Sequence, residues 1–358
     1  MEVSSRKARR VERREERKLK NLPKHIAVMR LSAMGDVAML SHTLRAFKQE
    51  YPSVKITVAT RSLFRPFFEG LDVEIFEVDT KGRHKGLKGE WRLLCDLLKL
   101  KIDAFADAHG VLRSMQLRWL MRFAGRRVER IRKGRIEKWF RVGYNSHNGV
   151  PLKHSVVRYC DVLRRMGFEF ENPEAASREE ALQRPNPMGE KSGKWIGFAP
   201  FSAHRGKTYP EPMSEELVGL LSGQYERIFI HSGGGSELEF AQRMEAKYKN
   251  VTALFGKVEL GDELNLIAHL DCMISMDSVA MHMASLTATP VVSIWGATHP
   301  ALGFLGWGCD ESGVLQEEMP CRPCSVYGER KCRTGSYKCL SAITPQRVAD
   351  KVSEMVAK

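Results

Sequence analysis

Several stretches of the 358-residue chain bring together side chains that could move a proton or hold an anion. The turn Ser32-Ala33-Met34-Gly35-Asp36 follows an apolar run and precedes a helical pattern. Gly35 permits a tight turn and close approach of another group. Asp36 reads in two ways: as a cap of the following helix, or as a carboxylate placed to take a proton from a hydroxyl. The loop 200–210, PFSAHRGKTYP, contains Gly206-Lys207-Thr208, which has the ending of a P-loop. That motif needs a second Gly five residues before Gly206, where Phe201 stands, so a nucleoside-triphosphatase loop is excluded. Lys207 keeps the chemistry of a point charge for a phosphate, or is an exposed lysine. Gly233-Gly234-Gly235 lies between an apolar run and a helical pattern, with Glu237 in the first turn of that helix. A phosphate or ribose can approach such a backbone closely, although Gly runs also simply make turns. In residues 271–300 an apolar run ends at Met276, and Asp277-Ser278 opens a helix of small residues through Val279, Ala280, Met281 and His282. A helix start of this kind is an anion site. Asp277 would cap it, and His282 is either a core histidine or faces a ligand.

Two further groups are set by charge and cysteine. The net charge is +14. Residues 1–24 carry ten Lys/Arg against four Glu, and residues 113–141 carry eleven against two, so these segments account for all of the excess. Such placement suits nucleic acid, anionic lipid or a phosphorylated substrate, or else marks solvated faces. Trp119, Phe123, Trp139 and Phe140 interleave with the second basic segment, while residues 1–24 hold no aromatic residue. Of eight cysteines, Cys95, Cys160 and Cys272 sit in apolar patterns as small core residues. Cys321, Cys324, Cys332 and Cys339 form a C-x₂-C-x₇-C-x₆-C array. It could hold a structural zinc, or remain as free thiols or a redox pair.

The elements that must position these groups alternate. Strand patterns at 25–31, 54–60, 74–79 and 102–108 are interleaved with helical patterns at 37–52 and 90–100, with further helical patterns at 111–125 and 154–169. Residues 171–194 lose the apolar periodicity and read as a linker. Strand patterns resume at 195–201, 227–232, 251–256, 271–276 and 290–296, again alternating with helices. The expectation is two doubly wound parallel α/β halves, with the cleft between them as the ligand site. The divisions are a basic arm 1–24, a first domain 25–170, the linker, and a second domain 195–358. Composition, 43% hydrophobic and 28% charged, excludes wholesale disorder. No apolar run reaches membrane-spanning length and the N-terminus lacks a secretory apolar region, so a cytoplasmic location is expected.

The order and spacing of these motifs resemble glycosyltransferase family 9, the heptosyltransferases of lipopolysaccharide inner-core synthesis. The features are strand–xxxGD–helix, a GGG loop with a following Glu, D-S-x-x-x-H, PVVSIWGATHP, a Cys-rich tail and a final ITPQRVADKV helix. The resemblance covers roughly residues 25–357. It implies a GT-B fold and inverting, metal-independent transfer of a heptose from ADP-heptose to a lipopolysaccharide inner-core or lipid A acceptor. On this chain it implies Asp36 as general base and Lys207 on the leaving diphosphate. Gly35, Thr208, Gly233, Gly234, Glu237, Asp277, Ser278, Val279, Ala280, Met281 and His282 would bind the donor. It gives the 113–141 segment an anionic glycolipid as partner, with Arg61, His109, Arg113, Arg118 and Arg122 as candidate acceptor-binding residues. The arm 1–24 would add attraction to an inner-membrane surface. Val279 stands where the family form has a Gly. Two other readings keep a place: the same fold with another nucleotide sugar or a protein acceptor, and a nucleic-acid-binding protein using the two basic segments.

Overall fold

The computed structural model describes residues 21–143 and 151–358. The arm expected over 1–24 therefore lies, except for its last four residues, outside the described residues. Two units emerge from the pattern of internal contacts. The first gathers the described residues up to Ser32 with Thr43–Lys133 and Val156–Pro173, and the second gathers Ala33–His42, Gly134–Ser155 and Glu174–Lys358.

In the first unit β1 (His25–Met29) is buried along its whole length. That is why it reads as an unbroken apolar run rather than an alternation. It pairs in parallel with β2 (Lys55–Thr60), Val28 opposite Val58, and with β4 (Ala104–Asp107), Val28 opposite Ala106. With β3 (Glu74–Glu77) and β5 (Arg127–Arg130) the sheet order is β3-β2-β1-β4-β5, all parallel. The helices of this stretch of chain are α1 (Met34–Glu50), whose residues up to His42 belong to the second unit, α2 (Gly86–Lys99), α3 (Leu112–Phe123), α4 (Arg135–Phe140), which belongs to the second unit, and α5 (Ser155–Arg164). Leu93, Leu97, Leu117 and Met121 from α2 and α3 pack with Phe105 in the first unit's core. The strand β5 has no counterpart in the sequence patterns. Its four residues are RVER, and only Val128 is buried.

The second unit carries β6 (Trp195–Ala199), β7 (Arg227–Ile230), β8 (Val251–Ala253), β9 (Cys272–Met276), β10 (Val291–Trp295) and β11 (Val314–Gln316). Their order is β11-β10-β9-β6-β7-β8, again all parallel. Its helices are α6 (Arg178–Leu182), α7 (Glu211–Ser222), α8 (Ser236–Lys247), α9 (Leu260–His269), α10 (Val279–Leu286), α11 (Lys338–Ser341) and α12 (Pro345–Ala357). Parallel neighbours need crossover helices, and the alternating sequence supplies them. The stretch read as a linker contains α6. Its Arg178 donates to Thr289 Oγ1 at 2.8 Å and to the Leu270 carbonyl at 2.6 Å. No helix among the described residues is long and apolar enough to cross a membrane.

Candidate active site

Ligands of open parallel sheets meet residues beyond the carboxyl ends of the strands. In the second unit β10, β9 and β6 are neighbours, and the segments leaving their carboxyl ends carry Thr298, Asp277 and Lys207. These three side chains meet. Lys207 Nζ lies 3.1 Å from Asp277 Oδ2, and Thr298 Oγ1 donates to the same oxygen at 2.8 Å. All three are largely or wholly buried, so the ion pair is screened less than a surface pair. Lys207 ends a short 3₁₀ turn, Arg205–Lys207. A Cβ at Gly206 would lie 2.7 Å from Ala297 Cβ, and the Gly206 carbonyl accepts from the Ala297 amide at 2.8 Å. The turn is thereby pinned to the strand exit that carries Thr298.

Asp277 does not cap α10. The N-cap is Ser278, and its side chain makes no capping bond, its Oγ lying 3.1 Å from Ser275 Oγ. The carboxylate that local sequence assigns to the cap is turned to Lys207 and Thr298 instead. Val279, Ala280 and Met281 form the first turn of α10, and its start presents backbone donors with no side-chain acceptor at the cap. One residue further, His282 is buried.

Gly35 and Asp36 cluster with this unit. Asp36 lies inside the first turn of α1, which begins at Met34, earlier than the periodicity indicates. A Cβ on Gly35 would stand 2.6 Å from His282 Cδ2, so only glycine admits the imidazole at this distance. Seven residues on from Gly35, His42 Nε2 meets Ser285 Oγ at 3.1 Å, so the start of α1 runs along α10. Burial depresses the His282 pKa to about 4, against the opposing pull of the Asp277 and Asp36 carboxylates. The ring is therefore neutral at pH 7, and its Nδ1 has no hydrogen-bond partner.

The remaining candidates are placed separately. The Gly233 amide donates to Glu237 Oε2 at 2.7 Å, so Glu237 folds back on the glycine loop, in which Gly234 is exposed. Thr208 closes its own loop, donating from Oγ1 to the Ser202 and His204 carbonyls at 3.2 Å each. In the first unit Arg118 is buried, and its Nη1 donates to Asp107 Oδ2 at 2.5 Å. Asp107 also accepts the His109 and Gly110 amides, so this pair builds the turn that carries His109. Arg113 reaches the His84 carbonyl and Glu90. Arg61 lies over the Phe64 ring and Arg122 over the Trp119 ring.

Two residues of the second unit were not singled out by the sequence. Thr298, the second partner of Asp277, stands in the quoted PVVSIWGATHP segment without a signal of its own. Arg322, between Cys321 and Pro323, is fully buried and donates to the Gly296 and Thr298 carbonyls, fixing the loop that carries Thr298. The zinc site that the cysteine spacing left open is not assembled among the described residues. Cys321, Cys324, Cys332 and Cys339 line one cavity beside Arg322. Among the described residues, however, no group of three or more His, Cys, Asp or Glu side chains is placed to hold a metal ion. Burial pushes the Cys339 thiol up to about 11.

Comparison with known proteins agrees with this architecture. The family model for glycosyltransferase family 9 (heptosyltransferase) matches residues 91–334. Lipopolysaccharide heptosyltransferase 1 of Escherichia coli K12 is 22% identical over 312 residues, covering 83% of this chain and 93% of that protein. Lipooligosaccharide heptosyltransferase 2 of Campylobacter jejuni strain 81116 is 24% identical over 332 residues, covering 90% and 96%. The solved structure of E. coli heptosyltransferase WaaC with ADP superposes with a TM-score of 0.66 at 22% identity, over 92% of this chain and 99% of that one. The fold is GT-B, shared with that heptosyltransferase structure and in keeping with the two parallel sheets.

Proposed function

Because the chain belongs to glycosyltransferase family 9, we propose that it transfers a heptose from ADP-heptose to a lipopolysaccharide inner-core or lipid A acceptor, with inversion and without a metal. The observation that carries this reading is the meeting of Lys207, Asp277 and Thr298 at three adjacent strand ends, beside the start of α10 and the Gly35-Asp36 turn. Transfer at an anomeric carbon needs a base on one face and stabilisation of the leaving diphosphate on the other. Asp36 is the base: it takes the proton from the acceptor hydroxyl as the oxygen attacks the anomeric carbon and the bond to the diphosphate breaks. Neutral His282 packs beneath Gly35 and holds that turn without placing a second positive charge beside the carboxylate. Lys207 and the free amides of Val279, Ala280 and Met281 take the charge that develops on the diphosphate. An arriving diphosphate competes with Asp277 for Lys207, while Asp277 keeps Thr298 as donor. Glu237, at the exposed glycine loop, accepts the ribose hydroxyls. Arg61, His109, Arg113 and Arg122 face an acceptor bearing phosphates and carboxylates, which arginine pairs bidentately. Arg118 serves the same surface through Asp107. The reaction then runs at the cytoplasmic face of the inner membrane.

Thermal stabilisation by ADP, UDP, GDP and TDP without divalent metal tests the donor, since a ligand of the folded state raises the midpoint by mass action. A shift with ADP alone is expected, and Asp36→Asn should keep that shift while losing roughly 10²–10⁴-fold in transfer rate. A shift confined to another nucleotide would displace ADP-heptose as donor. Full transfer by Asp36→Asn would remove Asp36 as base.

A further inference from the structure

The outer face of α3 is apolar where a surface helix should be polar. Its inner face is buried through Ser114, Leu117, Arg118 and Met121. On the other side Leu112, Met115, Trp119 and Phe123, spaced three to four residues apart, are exposed, Phe123 by 84% and Leu112 by 71%. The neighbouring α2, which packs against α3, also exposes large apolar residues. There Leu87 is 74% and Trp91 58% exposed, and Glu90 Oε1 lies 3.7 Å from Arg113 Nε across the two helices. Exposed apolar residues gathered at helical spacing on one face, with two more on the adjoining helix, mark an interaction site rather than ordinary surface scatter. Its margins are basic. Lys88 and Arg92 on α2, Arg122 in the last turn of α3 and Arg127 at the start of β5 are exposed, and the sequence from Leu112 to Gly125 holds no Asp or Glu.

We propose that this face, Leu87 and Trp91 of α2 with the Leu112–Phe123 stripe of α3, seats on an anionic lipid surface. Long aliphatic and indole side chains flanked by Arg and Lys match a bilayer interface, where apolar bodies enter the acyl boundary and cations meet headgroup phosphates. A nucleic acid fits less well. Base-stacking surfaces are built on aromatic platforms, whereas Leu87, Leu112 and Met115, half of the six exposed apolar side chains of this face, have no ring to stack. The use of this face rests on the glycolipid-acceptor reading, but its binding is measured apart from transfer.

The test is flotation of the full chain with vesicles of phosphatidylcholine alone and of phosphatidylcholine containing phosphatidylglycerol. Binding is expected to the anionic vesicles only. Trp119→Ser/Phe123→Ser, and separately Leu112→Ser/Met115→Ser, change no charge and should weaken it at least about tenfold. Both variants should keep the wild-type melting midpoint, the stabilisation by ADP and transfer to a deacylated, water-soluble acceptor. Equal binding to neutral vesicles, or anionic binding untouched by both double substitutions, overturns the proposal. So does a loss confined to single-stranded oligonucleotide binding, which would assign the face to nucleic acid. If wild type and variants all fail to use the deacylated acceptor while vesicle binding behaves as expected, the acceptor reading falls and the lipid-binding face stands.

Discussion

Protonation of His282 offers a direct measurement of the proposed active-site geometry. Four charged or titratable groups act on its ring: the Asp277 and Asp36 carboxylates raise its pKa, while His154 and Lys207 lower it. Burial outweighs them all and carries the value from the ordinary 6.5 to about 4. A pKa held that far down is equivalent to about 3 kcal/mol in favour of the neutral ring in the folded state. Because the folded value lies below the unfolded one, the unfolded chain binds the extra proton first. The stability is therefore intact above pH 6.5 and is lost progressively as the pH falls from 6.5 through about 4. His154 is also held low, chiefly by burial, and contributes a fall of the same sign. The His282→Gln variant isolates the His282 part: urea unfolding of wild type and variant should diverge by about 3 kcal/mol across that window. Nuclear magnetic resonance titration of the histidine rings is the cleaner readout, since two units can unfold separately. It should show no protonation of His282 between pH 7 and 5.5. In Asp36→Asn, loss of a carboxylate that raises the pKa should move the titration lower still. A His282 titrating near 6.5 would refute the burial of the ring, and one indifferent to Asp36→Asn would refute the approach of Asp36 to it.

The fully buried Asp107 depends on Arg118. Arg118→Leu should therefore destabilise the first unit by roughly 3–5 kcal/mol, and Asp107→Asn in the same chain should recover part of that loss in urea titrations. Gly35→Ala drives a methyl into His282 Cδ2. It should lower the melting midpoint by an amount equivalent to about 1–3 kcal/mol and abolish transfer, and an unperturbed, active Gly35→Ala enzyme would disprove the close approach. Arg322→Met strips the Gly296 and Thr298 carbonyls of their charged donor. We expect a loss of about 3 kcal/mol or more together with weakened stabilisation by ADP, read in one thermal series.

What the sequence made legible is what depends on near neighbours. The central strands β1, β6, β9 and β10 are buried along their length, so each is an apolar run whose meaning needs no knowledge of its partners. The missed strands β5 and β11 are short edge strands with one buried residue each; β3 and β8 are as short, but they lie in the apolar stretches EIFEV and VTALF, whereas RVER and VLQ sit among charged and polar neighbours. The same division holds at the site. The GD turn, the lysine loop and the helix start at 277–278 were visible because each follows a strand. The partner of Asp277 was not: capping is the only role that local spacing can show, whereas Thr298 lies 21 residues on and reaches Asp277 only because β9 and β10 are paired. Arg322 was hidden by its setting between cysteines, whose spacing pointed to metal chemistry. Its contacts with residues 296 and 298 follow from tertiary folding alone.

The clamp made by Arg322 also sets a timetable. Lys207, Asp277 and Thr298 are all translated before residue 300, yet the loop bearing Thr298 is held by a guanidinium made more than twenty residues later. The Tyr209 hydroxyl, two residues beyond Lys207, is tied later still, to the Ile343 carbonyl. A nascent chain that has exposed Lys207, Asp277 and Thr298 thus still lacks the groups that hold the loops of Lys207 and Thr298. The order of synthesis sets the three side chains first and the residues that hold these loops last.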